Sequence, residues 1–459
     1  MKHVHLIGIG GTGLSAIARI LLESGYRVSG SDQGLSPAAC DLAARGVKVF
    51  HGHAGTQINS ADVVIRSSAI PDDNSEVLAA RQKGIPVLKR SEFLGQLFTD
   101  RTGIAIAGTH GKTTTTSMVA WMLTSMGLDP SFIIGGVSKN LGSNAHAGSG
   151  KPFIIEADEY DYMFMGINPQ IAVVTNVEYD HPDCFPSEAV YQQAFERFIG
   201  SIIEGGVLIT CMDNPGSAAL ERKITLGRRV FTYGTYPASN YLAMNLELNT
   251  HGCYKFDVNL RMSHQPGTKL ATTELQVPGE HNVRNAVAAL AIAHQLDLSL
   301  ADASRSLLEY QGAERRFDIK AEINGITIVD DYAHHPSEIK TTLQAARCRF
   351  PDRRIWVVWQ PHTYSRTRTL FNEFIEAFHS ADKVIVTEIY PSRERKQNYS
   401  AAEIVKSMHH SDVRFIPELD SVVDYLSTNL KKDDIILILS AGDADQISIG
   451  LIKALGGKS

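Results

Sequence analysis

Residues 105–116 read AIAGTHGKTTTT, an apolar run that stops at glycine and continues into a lysine and four threonines. Backbone N–H groups of Gly108, Thr109, His110 and Gly111 can ring a phosphate. Lys112 can reach the outer phosphates, and the hydroxyl of Thr113, with Thr114 beside it, can meet a divalent cation. Ile106 stands where the general phosphate-loop pattern has one more glycine. Such a loop needs hard oxygen ligands for Mg²⁺, with Mn²⁺ as the alternative ion. Glu156 and Asp158 in FIIEADEYD and His181 in VTNVEYDHPD follow apolar runs and are the candidates; Asp180 could instead orient the histidine. A second glycine loop opens the chain, Gly8-x-Gly10-Gly11-Thr12-Gly13, with Asp32 at the end of the next strand. Its chemistry is that of a diphosphate bound at a helix N-terminus: a nicotinamide or flavin cofactor, or another diphosphate such as a nucleotide sugar.

Both loops need a strand before them and a helix after. VHLIGIG, YRVSGSD, ADVVIRSSAI and IPVLKR read as short buried strands, with a helix of period near 3.6 through Leu14, Ile17, Ala18, Leu21 and Leu22. A second series follows: TGIAIAG, the helix KTTTTSMVAWML, PFIIEAD, IAVVTNVEYD, GGVLITCMDN and RRVFTYG. YLAMNLELN, CYKFDVNLRM and ATTELQVP alternate as an antiparallel meander, a helix follows GEHNVRN, and YQGAERRF reads as a linker. GITIVDDYA, RRIWVVWQPH, KVIVTEIY and DIILILSAG form a third α/β series. The fold class predicted is α/β with three domains: a Rossmann-like domain at 1–100, a central P-loop ATPase-type domain with a meander at 101–313, and a Rossmann-like domain at 314–459.

Net charge is −6, which argues against a protein held mainly to nucleic-acid phosphates. The basic run RERK at 393–396 reads as a solvated loop. No run reaches the length of a membrane helix, and the first residues lack the pattern of a signal peptide. Five scattered cysteines without a C-x-x-C pair (Cys40, Cys184, Cys211, Cys253, Cys348) suit reduced thiols and a cytoplasmic location.

GIGGTGLSAIA, GTHGKTTTT, EADEYD, TNVEYDH, GEHNVRNAVAA, ERRFD, VDDYAHHP and QPHTYSRT occur in that order along the whole chain. Together they resemble the Mur ligases of peptidoglycan synthesis. The resemblance implies that the first domain holds UDP-N-acetylmuramate, the second ATP, and the third the incoming amino acid, here L-alanine. It implies an acyl phosphate made from ATP and the sugar carboxylate, then amine attack. The outer domains would close on the central one through linkers near 100 and 313. By the same resemblance Lys112, Thr113, Glu156 and His181 serve the phosphates and metal, and Asn282 the adenine. Arg316 meets a phosphate and Asp331 the ribose or a hinge, while Tyr332, His335, His362 and Arg366 build the amino-acid pocket. His335 and its neighbour His334 could equally cap the helix that follows. Ser67, Ser68 and Ala69 match the nucleotide-sugar pocket, where Asp32 would meet the uridine; His53 is a further candidate. A monomer or weak homodimer is expected.

Departures from the family pattern carry their own expectations. Several members place a carbamylated lysine after the metal histidine, yet no lysine occurs between Lys151 and Lys223; Glu196 is the expected substitute carboxylate. Thr363 stands where some alanine-adding members have arginine, and Tyr160 where many have serine. Tyrosine at that position is found in the recycling enzyme that attaches a tripeptide, which is the alternative acceptor. A nicotinamide-dependent oxidoreductase would explain the first loop alone. An inactive ATP-binding regulator would not need Lys112, Glu156, His181, Arg316 and Arg366 together.

Overall fold

The computed structural model describes residues 2–262 and 267–457, and three sheets run through them. The first has five parallel strands in the order Lys48–His51, Arg27–Asp32, His3–Ile7, Val63–Arg66, Val87–Lys89. The order reverses at His3–Ile7, so the crevice at its C-terminal end receives the glycine loop and helix Thr12–Glu23. Gly8 adopts φ +87, and a side chain there would press on Ser67 at 3.1 Å.

Ten strands form the central sheet. Thr102–Ala107 lies inside it, flanked by Pro152–Glu156 and Ile171–Val174, all parallel. These strands are nearly continuous apolar runs, as burial on both faces demands. Val207–Cys211 and Arg229–Gly234 continue the parallel set. Tyr241–Leu248 joins parallel to Arg229–Gly234, then turns into the expected antiparallel meander with Tyr254–Leu260 and Thr268–Glu274. The opposite edge holds a hairpin that periodicity did not reveal, Ser131–Ser138 and Ser143–His146. Its strands are rich in serine and glycine and lack clean alternation.

The third sheet runs Asp318–Ile323, Ile326–Asp331, Asp434–Leu439, Arg354–Trp359, Lys383–Val386, Val413–Phe415. All neighbours are parallel except the first pair. The sequence reading missed the edge strands Lys48–His51, Asp318–Ile323 and Val413–Phe415, which are short or half-exposed.

Apolar packing divides the molecule unevenly. One core runs without interruption from Leu6, Ile17 and Leu21 through Phe93 and Phe98 to Phe153, Phe164 and Phe198. It joins the first sheet to one face of the second. The other face of the central sheet packs on helices Lys112–Ser125 and Glu280–Gln295, the latter buried through its middle because VAALAIA offers no polar side. The third sheet has two cores, one on each face, and the buried residues of both lie within 326–452.

Candidate active site

A cavity of about 600 Å³ opens where the three sheets meet. Its wall takes Thr12 and Gly13 from the first glycine loop and Thr109–Thr113 from the second. It also takes Glu156, Asp158, Tyr160 and His181 from the strand ends, Arg316 from the linker, and Tyr332, His362 and Arg366 from beyond it. A second cavity of about 260 Å³ adjoins it, lined by Thr114, Asn176, His281, Asn282, Asn285 and Asp331 among others. His110, Gly111, Arg316 and Glu338 belong to both walls. The phosphate loop thus stands between a large chamber and a smaller one.

The loop owes its shape to two glycines. Gly111 takes φ +78 as the cap of helix Lys112–Ser125, a left-handed conformation that glycine adopts freely. At Gly108 a Cβ would lie 2.0 Å from the Thr175 hydroxyl, so the backbone can pass the neighbouring strand only without one. The helix start leaves N–H groups unpaired toward the chamber. Lys112 folds back over the loop, donating to the Gly108 carbonyl at 2.5 Å and the Thr109 carbonyl at 3.1 Å. Its ammonium also meets Glu159 at 2.8 Å. Burial would lower the lysine pKa, but Glu159, Asp158 and Glu156 raise it, so Lys112 is charged.

Thr113 donates to Glu156 at 3.1 Å, and the other Glu156 oxygen accepts the Gly135 N–H at 2.6 Å. Burial pushes the Glu156 carboxyl up against the opposing pull of Lys112. His181 points its Nε2 at Glu159, 3.7 Å away. The Thr113 hydroxyl, the Glu156 carboxylate and the His181 imidazole line the large chamber beside the loop, while Glu159 is buried against Lys112 and His181 and lines neither chamber. The first three are hard oxygen donors with one nitrogen, a set that suits Mg²⁺ or Mn²⁺.

In the smaller chamber Asn282 donates to the Pro278 carbonyl at 2.7 Å and accepts from Asn285 at 3.1 Å. His281 is held neutral there, its pKa lowered by burial to about 3, and its Nδ1 has no partner among the described residues. An unpaired ring nitrogen in a buried wall suits a polar planar ligand such as a base. Asp331 accepts from the backbone of Phe317 and Ala333, each at 2.7 Å; burial raises its pKa to about 6. It anchors the linker as it enters the third sheet. Arg316 lies 3.5 Å from the Thr113 hydroxyl and over the ring of Tyr332.

Contacts to the last domain are mostly ionic. Arg366 grips Asp180 with two bonds, Nε to Oδ1 at 2.7 Å and a terminal nitrogen to Oδ2 at 3.1 Å. Both side chains are buried, 2% and 4% exposed. Burial would raise the Asp180 pKa, yet the guanidinium holds it well below the usual carboxylate range. The remaining Arg366 nitrogen sits 3.0 Å from His362 Nδ1; burial lowers the His362 pKa to about 2, so its ring is neutral. His110 bridges Glu338 at 3.2 Å and Glu178 at 3.4 Å. Burial alone would lower its pKa, but the two carboxylates raise it to about 10.

At the first loop, Asp32 accepts the Gly10 N–H at 2.8 Å and so braces the turn. Gly11 continues the turn by donating to the Gly8 carbonyl at 3.2 Å. Ser67 packs against Gly8, while Ser68 and Ala69 lie exposed on the turn that follows. His53 belongs to a buried network with Ser31 and Glu76.

Residues 3–102 match the model of the Mur ligase family catalytic domain, 106–293 the Mur ligase middle domain, and 315–442 the Mur ligase glutamate ligase domain. The chain belongs to the Mur ligase family. A UDP-N-acetylmuramate–L-alanine ligase of Geotalea daltonii is 42% identical over 99% of this chain and 98% of that protein. The crystal structure of UDP-N-acetylmuramate–alanine ligase from Thermotoga maritima superposes with a TM-score of 0.82 at 28% identity, covering 99% of each chain. A murein peptide ligase from Psychrobacter arcticus gives 0.73 at 26% identity, covering all of both chains. Both solved relatives share the three-domain α/β fold of a Mur ligase.

In this Mur ligase some side chains fall elsewhere than expected. Glu196 does not reach the phosphate loop: it pairs with exposed Lys223 at 3.1 Å and lines neither chamber. Helix Glu188–Gly200 turns its other face inward, sending Tyr191 to Glu159 at 3.1 Å. Two carboxylates approach His181 Nε2, Asp180 at 3.8 Å and, at 3.7 Å, Glu159, which the sequence reading passed over within EADEYD. Its signal was full burial of an acid between two others, a property of the fold rather than of spacing. His335 caps helix Pro336–Arg349 through the Ser337 N–H, with Glu338 completing the box, and lines neither chamber. Arg393, expected in a solvated loop, lies in the wall of the large chamber.

Proposed function

We propose that this Mur ligase joins L-alanine to the carboxylate of UDP-N-acetylmuramate, consuming ATP and releasing ADP and phosphate. One observation carries the reading: both glycine loops and the Arg366–His362 cluster open into a single chamber, with the phosphate loop as the wall it shares with a smaller one. A nucleotide sugar seated on Gly8–Gly13 would extend its carboxylate toward Lys112. ATP would place adenine beside Asn282 and His281, ribose near Asp331, and phosphates along Gly108–Thr114.

The carboxylate oxygen attacks the γ-phosphorus, the bond to the β-γ bridging oxygen breaks, and ADP leaves. Anionic partners approach each other in that step, so cations must crowd them. Lys112 and Arg316 supply fixed charge beside the loop. Thr113, Glu156 and His181 would hold Mg²⁺ or Mn²⁺, which supplies further neutralisation of phosphate charge, with Glu159 supporting Lys112 and His181 from behind. The alanine amine then attacks the acyl carbon, loses a proton, and phosphate departs. Tyr332, His362 and Arg366 border the space for the amine. Burial of the chamber between three domains keeps water from the acyl phosphate.

Phosphate release measured with ATP, Mg²⁺ and UDP-N-acetylmuramate tests this. Release that requires L-alanine, with a product heavier by one alanine residue, is the expected result. Release with a tripeptide but not with alanine would overturn it.

A further inference from the structure

The chamber wall holds two arginines at its acceptor end, and their nitrogen atoms are occupied very differently. All three nitrogens of Arg366 are engaged, two by Asp180 and one by His362. Arg393 spends only Nε, which donates to Asp183 at 2.6 Å. Its two terminal nitrogens have no protein acceptor among the described residues. The guanidinium is stacked 4.2 Å from the centre of the Tyr160 ring, and the Tyr160 hydroxyl donates to the same Asp183 oxygen at 3.1 Å. Tyr160 in turn meets the His181 ring edge-on at 5.1 Å. The arginine is thus fixed in direction, one aromatic ring away from the group beside Glu159 and Lys112.

The other cations of the wall are committed. Lys112 and Arg316 face the phosphate loop, Arg90 lies 3.5 Å from Asp158, and Arg315 donates to the Ser440 carbonyl at 2.7 Å and pairs with Asp330 at 3.3 Å. Thr363 is 1% exposed and brings no charge. An incoming α-amino acid carries its amine and its carboxylate on one carbon. When the amine reaches the acyl group, the carboxylate must enter the chamber as well. A carboxylate taken from water needs a cation with matching donors, and a planar guanidinium edge offers two.

We propose that Arg393, oriented by Asp183 and Tyr160, clamps the α-carboxylate of the incoming amino acid through its terminal nitrogens and selects a free amino acid over its amide. The assignment rests on the reading of L-alanine as acceptor. Asp183 and Tyr160 are positioning residues on the central domain, whereas Arg393 comes from the last one, so the clamp exists only when those domains are docked.

Steady-state phosphate release by wild type, Arg393→Ala and Arg393→Lys, each with L-alanine and with L-alaninamide, tests it. Arg393→Ala should raise KM for L-alanine about 10- to 100-fold, the scale of a charge-assisted pair. KM for ATP and for the nucleotide sugar should hold within about threefold. L-alaninamide, which has no carboxylate, should be used equally by wild type and variant. If the alanine variant fails to fold, Arg393→Lys, which keeps charge but loses the fork, should show the same selective rise in smaller measure. An unchanged KM for L-alanine in a folded variant overturns the assignment, and so does a parallel loss with alanine and alaninamide. A wild type that releases no phosphate with L-alanine overturns the acceptor reading itself, and this assignment with it.

Discussion

Breaking the Arg366–Asp180 pair should undock the last domain. The two residues are 186 positions apart, belong to different domains, and are almost completely buried. Neither charge is screened by water, so the usual discount for surface pairs does not apply. Arg366→Met would leave the Asp180 carboxylate buried without its cation, keeping the His181 backbone N–H at 2.7 Å and the His181 ring at 3.8 Å. Removing one partner of such a pair costs about 3–5 kcal/mol. If the closed form bears that cost, its population relative to the open form falls by a factor of about one hundred to a few thousand. Asp180→Asn should cost a similar amount for the converse reason. The double variant should recover most of the loss, because both desolvation penalties vanish together. Small-angle scattering with ATP analogue and nucleotide sugar bound would report closure for all four proteins. Single variants that close as readily as wild type, or a double variant as open as the sum of the singles, would refute the reasoning.

Lys112→Ala should lower turnover by about 10²–10³-fold or more while nucleotide-sugar binding, read by calorimetry, stays intact. Glu159→Gln should raise the Mg²⁺ concentration for half-maximal activity about 10–100-fold; an unchanged metal titration would show that Glu159 does not support the metal set. His110 has a folded pKa of about 10 against an ordinary 6.5. Its contribution is therefore complete below pH 6.5 and lost as pH rises through about 10. The stability gap between wild type and His110→Gln should narrow over that window, followed by urea unfolding at each pH.

Local features of the fold were legible. The strand–glycine–helix units at 3–23 and 102–125 show as apolar runs that break at glycine and resume with helical period, because burial on two faces leaves no polar choice. The hairpin 131–146 was not legible, since its serines and glycines are held by neighbours rather than by their own propensity. The site divided along the same line. Lys112, Thr113 and Glu156 lie within reach of one another through adjacent strands, so motif order sufficed. Glu159 and Arg393 acquire their settings from partners far away in sequence, Lys112 and Asp183. Glu196 had a plausible offset from His181, but the helix phase set by buried Tyr191, Phe195 and Phe198 turns it outward.

The first sheet and the central sheet share one apolar core, edged by Arg90–Asp158 and Glu23–His146, whereas the last domain keeps its cores to itself and meets the rest largely through polar contacts, among them Arg366–Asp180, Arg393–Asp183, His110–Glu338 and Lys139–Asp318. Oily and ionic seams respond to different solvents. Separating the first pair exposes hydrocarbon and is resisted at any salt concentration, while water and counterions can enter the exposed rim of the second seam and compete for its charges. Ionic strength and pH therefore bear mainly on the second boundary, and there on the partly exposed Lys139–Asp318 and Arg393–Asp183 pairs more than on buried Arg366–Asp180. The first and central domains thus stay together across conditions that loosen the last one.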